Sequence, residues 1–159
     1  MGRAYKTKEV IGFTNEINGQ RFLKDTLDSP IKEKLLRESL EKNPSLLEKG
    51  LKLVKVGKQF PNDDSNIHLL MQDKNGHYVV VELKKGKTED GVVGQTLRYM
   101  GWIREHISKM KIVRGIILVA KGDISNKLDM AIKGLQTAQP LIKLKEIPIT
   151  IDEIRDHRS

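Results

Sequence analysis

The residues with the clearest chemical potential are Glu82 and Lys84, which end the apolar run Tyr78-Val79-Val80-Val81-Glu82-Leu83-Lys84. In an extended strand positions i and i+2 share a face, so the carboxylate and the amine project together from the strand end. A carboxylate so placed can hold Mg²⁺, which prefers oxygen ligands and keeps several waters. Such a cation acidifies a water and neutralises phosphate charge, and a lysine two residues on can orient or deprotonate that water. This is the chemistry of phosphodiester hydrolysis. The competing reading is an ion pair on an exposed strand, of little energetic worth. A metal site of this kind normally draws a second ligand from the neighbouring strand, and position 68 is where it would stand.

That placement depends on register. Residues 66–72 and 77–84 read as strands around Asp73-Lys74-Asn75-Gly76. Asn75-Gly76 could form a two-residue type I′ loop, or Lys74-Asn75-Gly76 a three-residue loop with Gly76 in a left-handed bulge position. Asp at the first turn position and Gly at the fourth favour the second. It sets His68 opposite Glu82 and Leu70 opposite Val80. One face then carries His68, Glu82 and Lys84, while Ile67, Leu69, Met71, Val79, Val81 and Leu83 form a wholly apolar face. The two-residue loop would set Leu69 against Glu82, because a slip of one residue turns every side chain over. The clean segregation selects the three-residue loop.

The elements around this hairpin follow from pattern. Residues 1–34 read as an N-terminal arm with at most a short helix near Gly19–Leu27, and residues 35–159 as the domain proper. Ser29-Pro30 signals a helix start, with Ser as cap and Pro at the first position, followed by Leu35, Leu36 and Leu40. Asn43-Pro44 repeats the signal, and Gly50 closes that turn. Leu51–Phe60 alternates as a strand. Gly91–Ile107 carries Val92, Val93, Leu97, Met100 and Ile103 at helical spacing. Val113–Ala120 is a buried strand, Ser125–Gln136 a capped helix, and Leu141–Ile151 a last strand with Pro148 near its edge. The order α-β-β-β-α-β-α-β predicts a mixed α/β sheet flanked by helices.

Composition narrows the chemistry further. The chain has 159 residues, enough for one domain. Cysteine is absent, which excludes a disulfide scaffold, thiolate zinc sites and a cysteine nucleophile. The four histidines have no zinc-ligand spacing. No apolar run reaches a membrane span, and the N-terminus has no apolar h-region, so the expected setting is cytoplasmic, with no membrane partner. Lys and Arg number 29 against 21 Asp and Glu, a net charge of +8, which points to a polyanionic partner.

Five segments, in order and at compatible spacing, closely resemble the nuclease domain of the archaeal and actinobacterial NucS/EndoMS endonucleases, of the restriction-endonuclease-like PD-(D/E)xK superfamily. They are Asn43–Leu51, Ile67–Leu70, Val79–Lys87, Val93–Trp102 and Val113–Ile117. The resemblance covers about residues 35–150. It implies an α-β-β-β-α-β core, Mg²⁺ (or Mn²⁺) as cofactor, and hydrolysis of duplex, branched or mismatched DNA, with DNA repair as the setting. It makes Glu48 the helix glutamate near the metal site, Glu82 the metal-binding acid and Lys84 the catalytic lysine. It also makes Gln95 and Tyr99 the helix residues lining the site. Positions i and i+4 do share a helix face.

Two departures stand out. The family's metal-binding Asp falls on His68, and the Gly before it on Ser65. Imidazole suits softer metals than Mg²⁺. Three readings stand open: His68 ligates a metal such as Mn²⁺, Asp63 or Asp64 substitutes from the preceding loop, or the chain is a catalytically impaired DNA-binding protein on the same fold. Residues 1–34 are also too few for the family's N-terminal dimerisation and mismatch-binding domain, and a homodimer stays open. For DNA contact, the basic run Lys84, Lys85, Lys87 adjoins the site, with Gly86 allowing close backbone approach. Lys52, Lys55 and Lys58 form a second cluster, and Arg98, Arg104, Lys109 and Lys111 a third. Lys85, Lys87 and Arg98 are the expected phosphate contacts. Aromatics make up 4%, too few for a single-strand stacking platform.

Overall fold

The computed structural model describes residues 8–10, 16–17, 20–21, 31–56, 67–84, 86–107, 112–120, 122–137, 140–147 and 151–152. Its centre is a six-stranded mixed sheet. In chain order the strands are β1 (Lys8–Val10), β2 (Glu16–Ile17), β3 (Gln20–Arg21), β4 (Ile31–Lys32), β5 (Lys52–Val56), β6 (Ile67–Gln72), β7 (Tyr78–Lys84), β8 (Val113–Ala120), β9 (Ile142–Ile147) and β10 (Ile151–Asp152). The helices are α1 (Glu33–Lys42), α2 (Gly91–His106) and α3 (Asn126–Gly134). The sheet runs β1-β9-β8-β7-β6-β5. The β5/β6 and β6/β7 pairs are antiparallel, and β7, β8, β9 and β1 run parallel.

The parallel half explains why β8 reads Val-Arg-Gly-Ile-Ile-Leu-Val-Ala without alternation. The crossover helices α2 and α3 cover one face and α1 the other, so both faces must be apolar. On one face Leu69, Met71, Val79, Val81, Ile116 and Leu118 pack against Leu36 and Leu40 of α1 and against Leu47 and Leu51. On the other, Leu70, Val80, Ile117, Val119, Ile142 and Leu144 pack against α2 and α3. The apolar face expected of the hairpin is the one under α1, with Leu69, Met71, Val79, Val81 and Leu83; the other face is less polar than expected. The face that bears Glu82 also carries Leu70 and Val80, buried beneath α2.

The turn between β6 and β7 has the three-residue form. The Asp73 N–H donates to His77 O and the Gly76 N–H to Asp73 O, each at 2.9 Å, and Gly76 has φ +83°. His68 pairs with Glu82 and Leu70 with Val80, as expected. The Asp73 side chain reinforces the turn, its Oδ1 accepting from the N–H groups of Asn75 and His77 at 2.9 Å each.

Other expectations shift. Helix α1 begins at Glu33, not at Pro30, because Ile31 and Lys32 pair in parallel with Ile151 and Asp152 of β10. The predicted Gly19–Leu27 helix meets strand at Gln20–Arg21, paired with Glu16–Ile17. The N-terminal segment read as an arm supplies β1 to the central sheet. Leu97 is 42% exposed. Thr96 takes its place in the buried stripe of Val92, Thr96, Tyr99, Met100 and Ile103. Ser125 caps α3 as expected, its Oγ accepting from the Leu128 N–H at 3.1 Å. Asp63, Asp64, Ser65, Lys58, Lys85, Lys109, Lys111 and Pro148 lie outside the described residues.

One polar cluster braces the face covered by α1. Arg114 Nη1 donates to Glu48 Oε1 at 3.1 Å and Nη2 to Glu48 Oε2, while Nε and Nη2 reach Asp73 Oδ2 at 3.3 and 3.1 Å. Lys143 Nζ adds a contact to Glu48 at 3.5 Å. One guanidinium thus ties the segment after α1 to the hairpin turn and to β8. Burial alone would raise the Glu48 carboxyl, but the hydrogen bonds and charge of Arg114, with Lys143 and Lys145, outweigh it and hold the group below its usual range. Burial likewise opposes the lowering at Asp73, where the His77 N–H, Arg114 and the Asn75 N–H prevail. A carboxyl depressed in the folded state stabilises fully above its unfolded value, and that stabilisation disappears as pH falls through the folded value. Denaturant titrations should therefore show constant stability from neutrality to about pH 5, then a decline below the reference values of 4.5 and 3.8. Arg114→Met should cost about 2–3 kcal/mol at pH 7 and make this acid limb shallower. An unchanged limb would remove the cluster from the acid response.

Candidate active site

Glu82 stands near the C-terminal end of β7 and is completely buried. It pairs with His68 on β6 and Ile117 on β8. By strand alternation it shares its face with Val80 and Lys84, the face that α2 covers. This burial overturns the exposed ion-pair reading. A carboxylate held out of water is costly even with partners. Lys84, one step beyond the buried run, is half-buried. The backbone of β6 puts His68 at the register position expected of a second ligand.

The chain brings α2 to this face by geometry. The helix leaves the C-terminal end of β7 and returns to the start of β8, its parallel neighbour. The crossover makes it run antiparallel to both, so its N-terminal half lies toward Glu82. Tyr99, 3% exposed, packs in the cluster containing Leu70 and Val80. Gln95, half-buried, lies one turn nearer the helix N-terminus and so toward Glu82 and His68. Thus Glu82, Lys84, Gln95 and Tyr99 gather on one face.

Glu48 does not join them. It lies on the α1 side of the sheet, bound to Arg114. Arg114 alternates with Ile116 and Leu118, which contact α1, whereas Glu82 pairs with Ile117 on the opposite face. The implied place of Glu48 near the metal site is corrected: its charge is committed to the Arg114 brace. The signal for this was available in Asp73 and Arg114, but their partnership spans 41 residues of sequence and no local pattern announces it.

After β7 the described chain resumes at Gly86. Gly86 has φ +75°, Thr88 Oγ1 donates to Gly86 O at 3.0 Å, and Thr88 bridges to Ile124. Lys87, between Gly86 and Thr88, is exposed. Arg98 lies on the solvent side of α2, its guanidinium carbon 5.6 Å from the Tyr99 ring centroid. Trp102 is half-buried and stacks on His106 at 4.6 Å between ring centroids. Among the described residues, no group of three His, Cys, Asp or Glu side chains is arranged to hold a metal, and no helix is long and apolar enough to cross a membrane.

The pattern of the family described as the endonuclease NucS C-terminal domain matches residues 32–140. The chain belongs to this family. A curated relative, the endonuclease NucS of Methanocaldococcus jannaschii, is 30% identical over 86 residues, which is 54% of this chain and 32% of the relative. A repair endonuclease from Pyrococcus abyssi superposes with a TM-score of 0.56 at 22% identity, covering 79% of this chain and 50% of that one. EndoMS in a complex with double-stranded DNA gives 0.53 at 22% identity, covering 96% and 51%. The chain thus spans about a third of the curated relative and about half of each solved one. These likenesses bear out the expected α/β fold, a mixed sheet flanked by helices that is shared with the solved NucS and EndoMS structures.

The burial of Tyr99 bears on how the site can be probed. Tyr99→Ala should lose about 3–5 kcal/mol in urea unfolding through the cavity it leaves. Tyr99→Phe, which keeps the ring, should lose no more than about 1.5 kcal/mol. Equal losses would mean that the ring contributes no packing.

Proposed function

We propose that the chain is a metal-dependent DNA endonuclease domain that hydrolyses phosphodiester bonds in duplex or branched DNA. The observation that carries this reading is the complete burial of Glu82 beside Lys84, beneath the helix bearing Gln95 and Tyr99, in a chain of the NucS C-terminal family. Of the residues present, the Glu82 carboxylate fits a hard divalent cation of the Mg²⁺ type, while the His68 imidazole suits a softer one. Glu82 offers one carboxylate, and such ions are commonly held by one or two carboxylates with waters and substrate phosphate supplying the rest. When bound, the cation would neutralise phosphate charge and lower the pKa of water.

The chain's own residues divide the remaining work. Lys84, two residues from Glu82 on the same face, orients the attacking water and, as the neutral amine, takes its proton. Water attacks phosphorus, the bond to the leaving sugar oxygen breaks, and that oxygen leaves as an alcohol once protonated from solvent. Gln95 and Tyr99 orient the scissile phosphate from the helix side by hydrogen bonding, and α2 limits access of other water. Lys85, Lys87 and Arg98 neutralise flanking phosphates, which gives affinity without sequence preference. His68, across from Glu82, favours a softer ion such as Mn²⁺ over Mg²⁺, and it supports a second reading: an impaired enzyme that binds DNA on this fold.

Nicked, branched and mismatched duplexes incubated with Mg²⁺ or Mn²⁺ separate these readings. Glu82→Ala should abolish cleavage while leaving DNA binding intact or tighter, since a negative charge near the phosphates is removed. Lys84→Ala should abolish cleavage and weaken binding. His68→Asp should raise Mg²⁺-dependent cleavage by restoring an oxygen ligand. A parent that binds but cuts only after His68→Asp would establish the impaired-enzyme reading. A protein that neither cuts nor binds would falsify both.

Binding should also fall steeply with salt. Alanine at Lys87 or Arg98 should each reduce the slope of log affinity against log salt by about 1, measured by fluorescence anisotropy on a fixed duplex. Slopes unchanged by both substitutions would place the DNA on another surface.

A further inference from the structure

We propose that Gly115 is a positioning residue for the nuclease site: its missing side chain lets α2 settle deep enough on the sheet to hold Gln95 and Tyr99 beside Glu82. This rests on the nuclease reading above.

Gly115 lies on the α2 side of β8, level with Val80 on β7 and Ile142 on β9. A Cβ at this position would stand 2.7 Å from Thr96 Cγ2, 3.1 Å from Met100 Sδ and 3.4 Å from Ile142 Cγ1. These neighbours differ in how far they can yield. Met100 is a flexible thioether, and the Ile142 contact is only tight. Thr96 is the rigid one. It is β-branched and restricted at χ1 within a helix, and its Oγ1 donates to Val92 O at 2.8 Å in a fully buried setting. Turning the methyl away would break that bond where no water can replace it. By contrast, Gly91, Gly94 and Gly101 of α2 itself face open space.

The contact is well placed to govern the site. Thr96 directly follows Gln95, and Met100 directly follows Tyr99. Val80, level with Gly115, precedes Glu82 by two residues on the same face. Carbon atoms rest at about 3.5–4.0 Å, so a methyl at position 115 must lift α2 by on the order of 1 Å. That movement carries Gln95 and Tyr99 with it, and the exposed Arg98 of the same helix, while Lys87 on the loop after β7 stays in place. Misplacement of this size can cost up to about a hundredfold in rate, and the loss should fall mainly on kcat, with one flexible surface phosphate contact, Arg98, changing KM little.

The test is a double-mutant cycle on the whole chain: parent, Gly115→Ala, Thr96→Ser and the double variant. Thr96→Ser removes the clashing Cγ2 and keeps the hydroxyl that donates to Val92 O. Gly115→Ala should lower kcat by about tenfold or more in the parent background with KM little changed, and by less than about threefold in the Thr96→Ser background. Trp102, the chain's one tryptophan, reports the seating of α2 without cleavage. Its emission should shift on Gly115→Ala and return in the double variant. If Gly115→Ala alone does not fold, a double variant that folds and cuts supports the proposal, and one that folds without cutting overturns it. Equal losses in both backgrounds, or no loss, overturn the positioning role while leaving the nuclease reading in place. A parent that cuts no DNA overturns the nuclease reading instead and with it the role at the site, and Trp102 emission then decides the seating of α2 by itself.

Discussion

Everything at the candidate site depends on the register of β6 against β7. Because side chains alternate with a period of two, a slip of one residue would move Glu82 from the face under α2 to the face under α1. The pairing of His68 with Glu82 would be lost, and Val81 and Leu83 would exchange faces with it. Asp73 is the residue that prevents this. Its backbone closes the turn with His77 and Gly76, and its carboxylate accepts from two further N–H groups of the same turn. Its second oxygen receives Arg114 from β8, so the turn is fixed to the neighbouring strand as well as closed on itself. Gly76 meets the left-handed conformation the turn requires, which most residues adopt only with strain.

The register was legible because the chain around Asp73 is locally consistent: turn chemistry, apolar alternation and Gly placement all select the same loop. The same holds for Val113–Ala120, whose apolar run from Ile116 to Ala120 lies in β8, and for Ser125, whose hydroxyl caps α3. What failed was decided by distant segments. The start of α1 is displaced because Ile31 and Lys32 join a strand more than a hundred residues away. The buried stripe of α2 runs through Thr96 rather than Leu97 because Gly115 offers a recess that only a short side chain fills closely. Glu48, which the resemblance sets near the metal site, lies on the other face because it is bound by Arg114, 66 residues on, and no local pattern marks that partner.

The two faces of the sheet do different work. On the α1 side, Arg114, Glu48 and Asp73 sit near the starts of β7 and β8, where opposite charges are matched and hydrogen-bonded. On the α2 side, Glu82 and Lys84 sit toward the far end of β7. A paired cluster such as the first lowers carboxyl pKa values and stabilises the fold. A carboxylate buried whole beneath a helix adds desolvation cost that an apolar residue of similar volume would avoid. The retention of Glu82 in a cluster otherwise built from Leu70, Val80 and Ile117 is what gives the chemical reading its weight.

Register and helix depth are separate coordinates of one site. The turn at Asp73 determines which residues of β6 and β7 face α2, and where along the strand they stand. The recess at Gly115 determines how closely the helix can approach that face. Neither can compensate for the other: a correct register under a raised helix leaves Gln95 and Tyr99 too far out, and a well-seated helix over a slipped strand meets Leu83 where Glu82 should be. Both constraints act through β8, since Arg114 braces the turn from one side of the strand and Gly115, the next residue, receives the helix on the other. Adjacent residues on a strand necessarily point to opposite faces, so this single dipeptide ties the α1 layer to the hairpin and seats the α2 layer upon it.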